Sequence, residues 1–541
     1  LILSACNKCS DKKSPAKVLV EEPEMVNEEV SKLISDKLSK IDTSKIAVMS
    51  RDSLFAIKLV AEFYSLNKFE LQWTDQGKLT KQGDTLYNLI RDSEKHGLMP
   101  GDYHFPNVAG LLKYDSTEKK FDAVKLAEAD ILLTDAFFTF AVHLHSGRLN
   151  PDSLIREWRL EKLDTNLVVL LNKAKNTNTI HFVIDSLEPK NKPYQRLKAA
   201  LTNFRIEFKD SNWDSLASRD SDSLTFNERL KQRLIASHDY LYDSLKSDSM
   251  NLVKAIKNFQ CRHKLTEDGK VGKLTFKALQ RTKQDYIRQI ELNMERWRWT
   301  KVPHEKQYVW VNIPKYEMHV VEEDTVVMRS RVIVGAAKTN TPVLKSTIQY
   351  FLIYPYWTVP FSIATKEILP ALKRDTSYLR RKNFEVLDRH GLVIDTMINW
   401  KRYNKNNFPF KLRQRIGDDN SLGILKFNFH NKYGVYLHDT DNRRLFGREM
   451  RAMSHGCVRL EKFVEFAKFM IRDDSVKYHS DSLMLDLSRP IQKYVYIKKP
   501  IAVYINYFTA EADEDGALFL FIDVYKKDER MLVALNRKKK K

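Results

Sequence analysis

Apolar positions recur at helical spacing over the first third of the chain and switch to strict alternation later. Leu54, Ile57, Val60, Ala61 and Phe63 share one helical face. Leu86, Leu89 and Ile90 repeat the pattern before a break at Gly97-Leu98-Met99-Pro100-Gly101. Leu132, Leu133, Ala136, Phe137 and Phe140 form a further stripe, closed by Asn150-Pro151, and its aromatics read as helix core. The Ser/Asp-rich stretch 210–224 predicts a loop or linker. A compact helical unit follows over about 226–280. From Tyr308 the period becomes two: 308–313, 325–327 and 332–335 predict strands, with Glu322-Glu323-Asp324 as a turn. Further strands are expected at 348–354 and 434–438. The polar, strongly basic segment from Phe361 to Arg415 interrupts them, is partly helical between Ile363 and Leu372, and predicts a subdomain inserted into the β domain.

Length and composition fit several cores. The 541 residues suggest three or four domains, and 43% hydrophobic residues exclude wholesale disorder. With 16 Gly and 16 Pro the chain is neither collagenous nor low-complexity. The longest apolar runs, such as 517–522, are strand-sized, well short of the ~20 residues of a spanning helix. The net charge of 91 − 70 = +21 suits an anionic partner. Yet Lys and Arg are scattered, apart from the tail 537–541, and no zinc-finger or RNA-binding motif accompanies them, so no nucleic-acid partner is expected. His143, His145 and His319 lack metal-ligand spacing, so no metal and no cofactor is expected. Four cysteines, Cys6, Cys9, Cys261 and Cys457, make no disulfide framework; Cys261 reads as a small core residue.

Leu3-Ser4-Ala5-Cys6 resembles a bacterial lipobox, which implies that Cys6 receives lipid and that Leu1 to Ala5 are a signal-peptide remnant. The alternative of a Cys6/Cys9 redox or metal pair lacks a second pair and a βαβ context. Residues 10–45, rich in Ser, Lys, Glu and Asp, predict a flexible tether. About 30 such residues reach roughly 100 Å when stretched.

The unit near 226–280 contains Phe259-Gln260, then Leu265-Thr266-Glu267-Asp268-Gly269-Lys270-Val271-Gly272, then Ala278-Leu279. Asp268-Gly269 predicts a tight turn, Gly272 a close approach or positive φ, and Phe259, Leu265, Val271 and Leu279 the core. These residues resemble the peptidoglycan-binding module, a three-helix bundle.

The candidate chemistry lies in Tyr436-Leu437-His438-Asp439-Thr440 and Ser454-His455-Gly456-Cys457-Val458-Arg459. Cysteine is a nucleophile as thiolate, so it needs a base or a lowered pKa. Leu460, Phe463, Val464, Ala467 and Ile471 follow at helical spacing, which places Cys457 at a helix N-terminus. In the preceding strand Tyr436 and His438 face one way, Val435 and Leu437 the other. His438 and Cys457, 19 positions apart, can meet as base and nucleophile.

These two motifs resemble the L,D-transpeptidase catalytic domain. The resemblance implies Cys457 as nucleophile and His438 as general base, with Tyr436 and the backbone N–H of Cys457 as oxyanion donors. It implies that Gly456 gives the turn room, and that Arg459 pairs with a substrate carboxylate. His455, Trp357 and Ser454 are implied substrate contacts, His455 alternatively a structural residue. The segments 293–299, 357–360, 420–423, 427–428, 101–104 and 515–525 resemble the large multi-domain class of that family.

The expected architecture is multi-domain α+β. It comprises the lipobox and tether (1–45), a helical scaffold (46–225), the peptidoglycan-binding bundle (226–283), and a mainly-β catalytic domain (284–490) with a capping insertion (361–416). C-terminal strands (491–541) complete the body and end in the basic tail. The implied activity is 3→3 cross-linking of peptidoglycan stems through a Cys457 thioester, by a lipid-anchored envelope protein acting on stem peptides and glycan strands. The alternatives are an L,D-carboxypeptidase and a non-catalytic wall-binding lipoprotein. The basic cap, with Lys366, Lys373, Arg374, Arg380 and Arg381, is either a cover for the donor groove or a solvated loop.

Overall fold

The structure is a computed structural model and describes residues 17–113, 120–151, 165–211, 213, 215–216, 225–300, 303–474 and 478–539. The lipobox expectations for Cys6 and Cys9 lie outside these residues. Among the described residues no helix is long and apolar enough to cross a membrane.

The tether expectation is corrected from Leu19 onward. Helix α1 (Pro23–Ser39) places Val26, Val30, Ile34 and Leu38 one turn apart, and all four are buried in the scaffold core. Each such burial is worth about 1.5–3 kcal/mol, which outweighs the polar composition of the rest of the segment. The short strand Leu19–Val20 pairs with Phe121–Asp122 and fixes the chain further. The centre of the scaffold is α2 (Ala123–Ser146), capped by the Asp122 side chain and buried almost all round. Its two interior carboxylates are satisfied locally. Asp130 accepts from Tyr64 Oη at 2.6 Å, and His104, clasped by Asp52 and Asp135, is pushed up to about 9 by those carboxylates despite its burial.

The binding bundle is α3 (Phe226–Ala236), α4 (Asp248–Arg262) and α5 (Lys273–Leu279), closed over Phe259, Leu265 and Leu279. Gly269 has φ +72°, and a Cβ there would stand 2.8 Å from Val253 Cγ1, so this turn needs glycine. Gly272 does not behave as expected: its φ is −73° with open space around it, because it serves as the extended N-cap of α5. The expected linker is also only partly one, since Trp213 and Leu216 are buried, Trp213 against Phe204, Phe208 and Tyr286. Helix α6 (Lys283–Trp299) ties the units together. Its Glu295 accepts from Leu149 N at 2.8 Å, and its Asn293 donates to Thr509 Oγ1 at 2.8 Å.

The β domain is built from β1 (Gln307–Asn312), β2 (Glu317–Glu322), β3 (Thr325–Gly335) and β4 (Leu344–Ile353). The cap follows as β5 (Trp357–Thr358), α7 (Leu369–Arg374), β6 (Phe384–Leu387) and β7 (Lys411–Gln414). The main sheet resumes with β8 (Leu425–Phe429), β9 (Leu437–His438), β10 (Ala452–Ser454) and β11 (Val458–Leu460). Helix α8 (Phe463–Ile471) and β12 (Lys493–Asn506) complete it. The strand order is β10-β3-β11-β9-β8-β4-β12-β1-β2, and β2 pairs back onto β3, so the sheet closes on itself around a core of Val311, Phe351, Phe427, Leu437 and Val458. Helix α8 seals that core with Phe466 and Ala467. The insertion is a subdomain as expected, with a three-stranded sheet β5-β7-β6 and its own core around Leu369, Leu372, Trp400 and Leu412. Beyond β12 lie the hairpin β13 (Ala510–Ala512) and β14 (Leu518–Leu520), then α9 (Lys527–Lys539), a helix whose Met531 is buried in the main core and which includes residues 537–539 of the basic tail.

Candidate active site

The site is set by strand register. Strands β9 and β11 are parallel, with Leu437 opposite Val458 and His438 opposite Arg459. Leu437 and Val458 are fully buried in the core, so alternation turns Tyr436, His438, Cys457 and Arg459 to the opposite face. One place along the same register Cys457 faces Tyr436, whose carbonyl accepts from Val458 N at 3.1 Å.

The turn before β11 is held by its own polar atoms. Ser454 Oγ donates to Cys457 O at 2.6 Å and accepts from Gly456 N at 3.1 Å. Thr341 Oγ1 donates to Gly456 O at 2.8 Å, and Thr339 Oγ1 to Ser454 O at 2.9 Å. Gly456 has φ +123°, a conformation that favours glycine. Ser454 is 3% exposed with its hydroxyl used twice, so it shapes the turn and the expectation of a substrate contact is corrected.

Cys457 is not at a helix N-terminus. Strand β11 intervenes and α8 begins only at Phe463, so no helix dipole reaches the sulfur. Leu460 shares the helical spacing but is a strand residue pointing into the core. The half-buried thiol is pushed above its ordinary pKa by burial. The backbone N–H and the phenol of Tyr436 pull it back most, then Lys426 and Arg459. Its Sγ lies 3.8 Å from Gly434 O.

His438 is 4% exposed, and its Nδ1 has no hydrogen-bond partner among the described residues. Burial, reinforced by Arg459, drives the ring down to about 3 against the pull of the Asp439 carbonyl, so it rests neutral. It stands edge-on to Tyr436, with centroids 5.4 Å apart. His438 is the diagonal neighbour of Cys457, and no hydrogen bond joins them among the described residues. Resting thiol and neutral imidazole suit a base that receives the proton only during attack, when such contacts tighten.

Around this pair the structure gathers two of the other expected residues. Trp357, on cap strand β5, stands by the Tyr436 phenol and opposes the upward shift that burial gives its pKa. Arg459 is half-buried, and its Nε is unpartnered among the described residues. His455 turns away: it is exposed and its Nε2 lies 2.8 Å from Glu367 Oε1 on the cap, which joins the Cys457 loop to the insertion.

Two further residues that the sequence reading gave no role pack at this face or its strand end. Lys426, opposite His438 on β8, carries its Nζ 4.0 Å from the Tyr436 ring centroid and pairs with no carboxylate among the described residues. Burial lowers its pKa, and Cys457 opposes that shift. The polar–apolar alternation of Leu425-Lys426-Phe427-Asn428-Phe429 was the available signal. Asp439, fully buried, accepts from Ile424 N at 3.1 Å and holds Arg443 at 2.6 and 3.0 Å, which anchors the strand end behind His438. A Cβ on Gly423 would stand 2.2 Å from that carboxylate. Among the described residues no group of three or more His, Cys, Asp and Glu is placed to hold a metal ion.

Residues 306–477, which hold this arrangement, match the L,D-transpeptidase catalytic domain model. The chain carries an L,D-transpeptidase catalytic domain. Residues 58–201 match a scaffold domain, and residues 228–279 match the model described as "Putative peptidoglycan binding domain". A Haemophilus influenzae protein named "Putative L,D-transpeptidase" is 32% identical over 246 residues, 45% of this chain and 49% of that protein. The chain thus matches about half the length of this curated relative. A crystal structure of L,D-transpeptidase from Stackebrandtia nassauensis aligns over 54% of this chain and 97% of its own, with 16% identity and a TM-score of 0.20, too low to bear on the fold. The catalytic sheet extends past the matched span, since β12 lies between β4 and β1.

Proposed function

We propose that the protein cross-links peptidoglycan by two acyl transfers on Cys457. The sulfur attacks the carbonyl of the L-centre of residue three in a donor tetrapeptide stem. The S–C bond forms, the amide C–N bond breaks, and the thiol proton passes through His438 to the departing D-Ala amine. A side-chain amine of a second stem then attacks the thioester. Its C–N bond forms, the S–C bond breaks, and His438 carries the amine proton back to sulfur. The Tyr436 phenol and the Cys457 N–H receive the oxyanion of each tetrahedral intermediate. Lys426 and Arg459 place two cations beside the developing negative charge, and the Arg459 fork suits a stem carboxylate.

The single observation that carries this reading is the grouping of Cys457, Tyr436, His438 and Arg459 on one face of the sheet within the matched catalytic domain. The helical bundle, by its match, supplies wall binding, and a lipid on Cys6 would hold the body in the bacterial envelope, facing the periplasm. Mass spectrometry of products from purified protein and tetrapeptide stems tests the activity. Dimers joined 3→3 with loss of D-Ala support it. Tripeptides alone would establish hydrolysis, and unchanged stems a non-catalytic binder.

A further inference from the structure

The row that contains the nucleophile does not end at the site. Along one sheet face it runs Cys457, Tyr436, Asn428, Tyr350, Tyr496, one residue on each of β11, β9, β8, β4 and β12. Tyr350 pairs in register with both Asn428 and Tyr496, and Tyr494 stands two places along on the same face of β12. The Tyr350 ring lies 5.3 Å from Tyr496 and 5.9 Å from Tyr494, tilted by 39° and 35°, while Asn428 Nδ2 donates to Tyr350 Oη at 3.2 Å. Tyr494 is 52% and Tyr496 68% exposed. The proposed chemistry uses none of the three tyrosines.

We infer that Tyr350, Tyr494 and Tyr496 form a saccharide-stacking strip that holds the glycan strand bearing the donor stem; this rests on the cross-linking reading above. Three observations support it. The first is chemical: tilted phenols with an adjacent amide offer flat apolar faces and neutral hydrogen-bonding tips. That combination suits the C–H face and hydroxyls of an amino-sugar ring and would not suit an anion. The second is continuity, since the strip and Cys457 share one unbroken row. The third is length. Three strand spacings of about 4.8 Å separate Tyr350 from Cys457, roughly 14 Å in all. A lactyl link plus three extended residues covers about four times 3.3–3.6 Å, which is also about 14 Å. A sugar seated at Tyr350 therefore delivers the carbonyl of residue three to the sulfur.

The test uses the full chain and a β-1,4-linked N-acetylglucosamine tetramer as the probe, with binding followed by tyrosine resonances or fluorescence. Wild-type protein and Y494F are expected to bind the probe through the strip. Y494A, Y496A and the double variant are expected to lose that component, even where the helical bundle retains its own. With disaccharide-linked tetrapeptide, the alanine variants should raise KM about three- to tenfold at unchanged kcat, the range of one aromatic contact. With free tetrapeptide they should behave as wild type. Unaltered probe binding in the double variant, or equal losses on both substrates, overturns the strip. So does a wild-type dimer that the double variant dissolves, since a second copy would then be the occupant. The probe arm needs no turnover: if the protein processes neither substrate, the cross-linking reading falls and the strip is still decided by binding.

Discussion

Lys426 holds its ammonium 4.0 Å from the centroid of the Tyr436 ring, on the same sheet face as the Cys457 sulfur. A cation so placed favours thiolate over thiol and polarises the phenol that faces the sulfur. Lys426→Met is expected to raise the Cys457 pKa by about half to one unit, and so to slow alkylation by iodoacetamide at pH 7 about three- to tenfold. Lys426→Arg should keep most of the rate. An unchanged alkylation–pH curve in a folded Lys426→Met protein would remove Lys426 from the account.

Cys457→Ser should abolish formation of a covalent adduct with a carbapenem, observed as intact mass, and Cys261→Ser should leave it at full yield. The two thiols are both raised by burial, but only Cys457 has Tyr436, Lys426 and Arg459 to oppose that shift. Cys261 faces Glu267 instead, which raises it further. An adduct of undiminished yield on the Cys457 variant would refute the nucleophile.

The two histidines should separate cleanly. His438→Ala is expected to lower turnover about 10²–10⁴-fold, the usual contribution of a general base. His455→Ala removes only an exposed contact with Glu367 on the cap, so its loss should stay within about tenfold. The reverse order would mean that His455 leaves the cap and acts at the sulfur.

Much of this site was legible before the structure. Alternation around Leu437 correctly separated Tyr436 and His438 from Val435 and Leu437, because one face of that strand is a core. The helix after Cys457 was misplaced because Leu460 shares the spacing of Phe463, Val464 and Ala467. A helical period cannot reveal that its first member belongs to a strand. Helix α1 was hidden for a related reason: four apolar residues at every fourth place are few by composition but complete as a stripe. Alternation puts Lys426 on the polar face of β8, but its place opposite His438 needed the register between β8 and β9, which no local pattern contains.

Ser454 gives a test of support against recognition. Ser454→Ala removes both hydrogen bonds that hold the turn, a loss of about 1–3 kcal/mol if the Gly456 N–H is left unpaired. The expected result is a lower melting temperature and a lower kcat with KM nearly unchanged. A variant of native stability whose KM alone rises would restore Ser454 as a substrate contact.

The depressed His438 makes a stability prediction of definite sign. In the unfolded chain a histidine binds its proton below about pH 6.5, whereas the folded protein holds His438 neutral down to about 3. Between these values the unfolded state binds more protons, so stability falls as pH falls through that window and is fully present above about 6.5. The contribution is on the order of a few kcal/mol, and buried His263, also well below its ordinary value, adds to the same slope. His438→Gln should therefore flatten the loss of stability between pH 6.5 and 4, read from urea midpoints, whatever its effect at neutral pH. The same argument fixes the rate profile: acylation should show no fall near pH 6.5, because the base is already deprotonated there. A rate that halves at pH 6.5 in the wild type and not in His438→Gln would show that His438 titrates normally, and that its burial does not govern its proton.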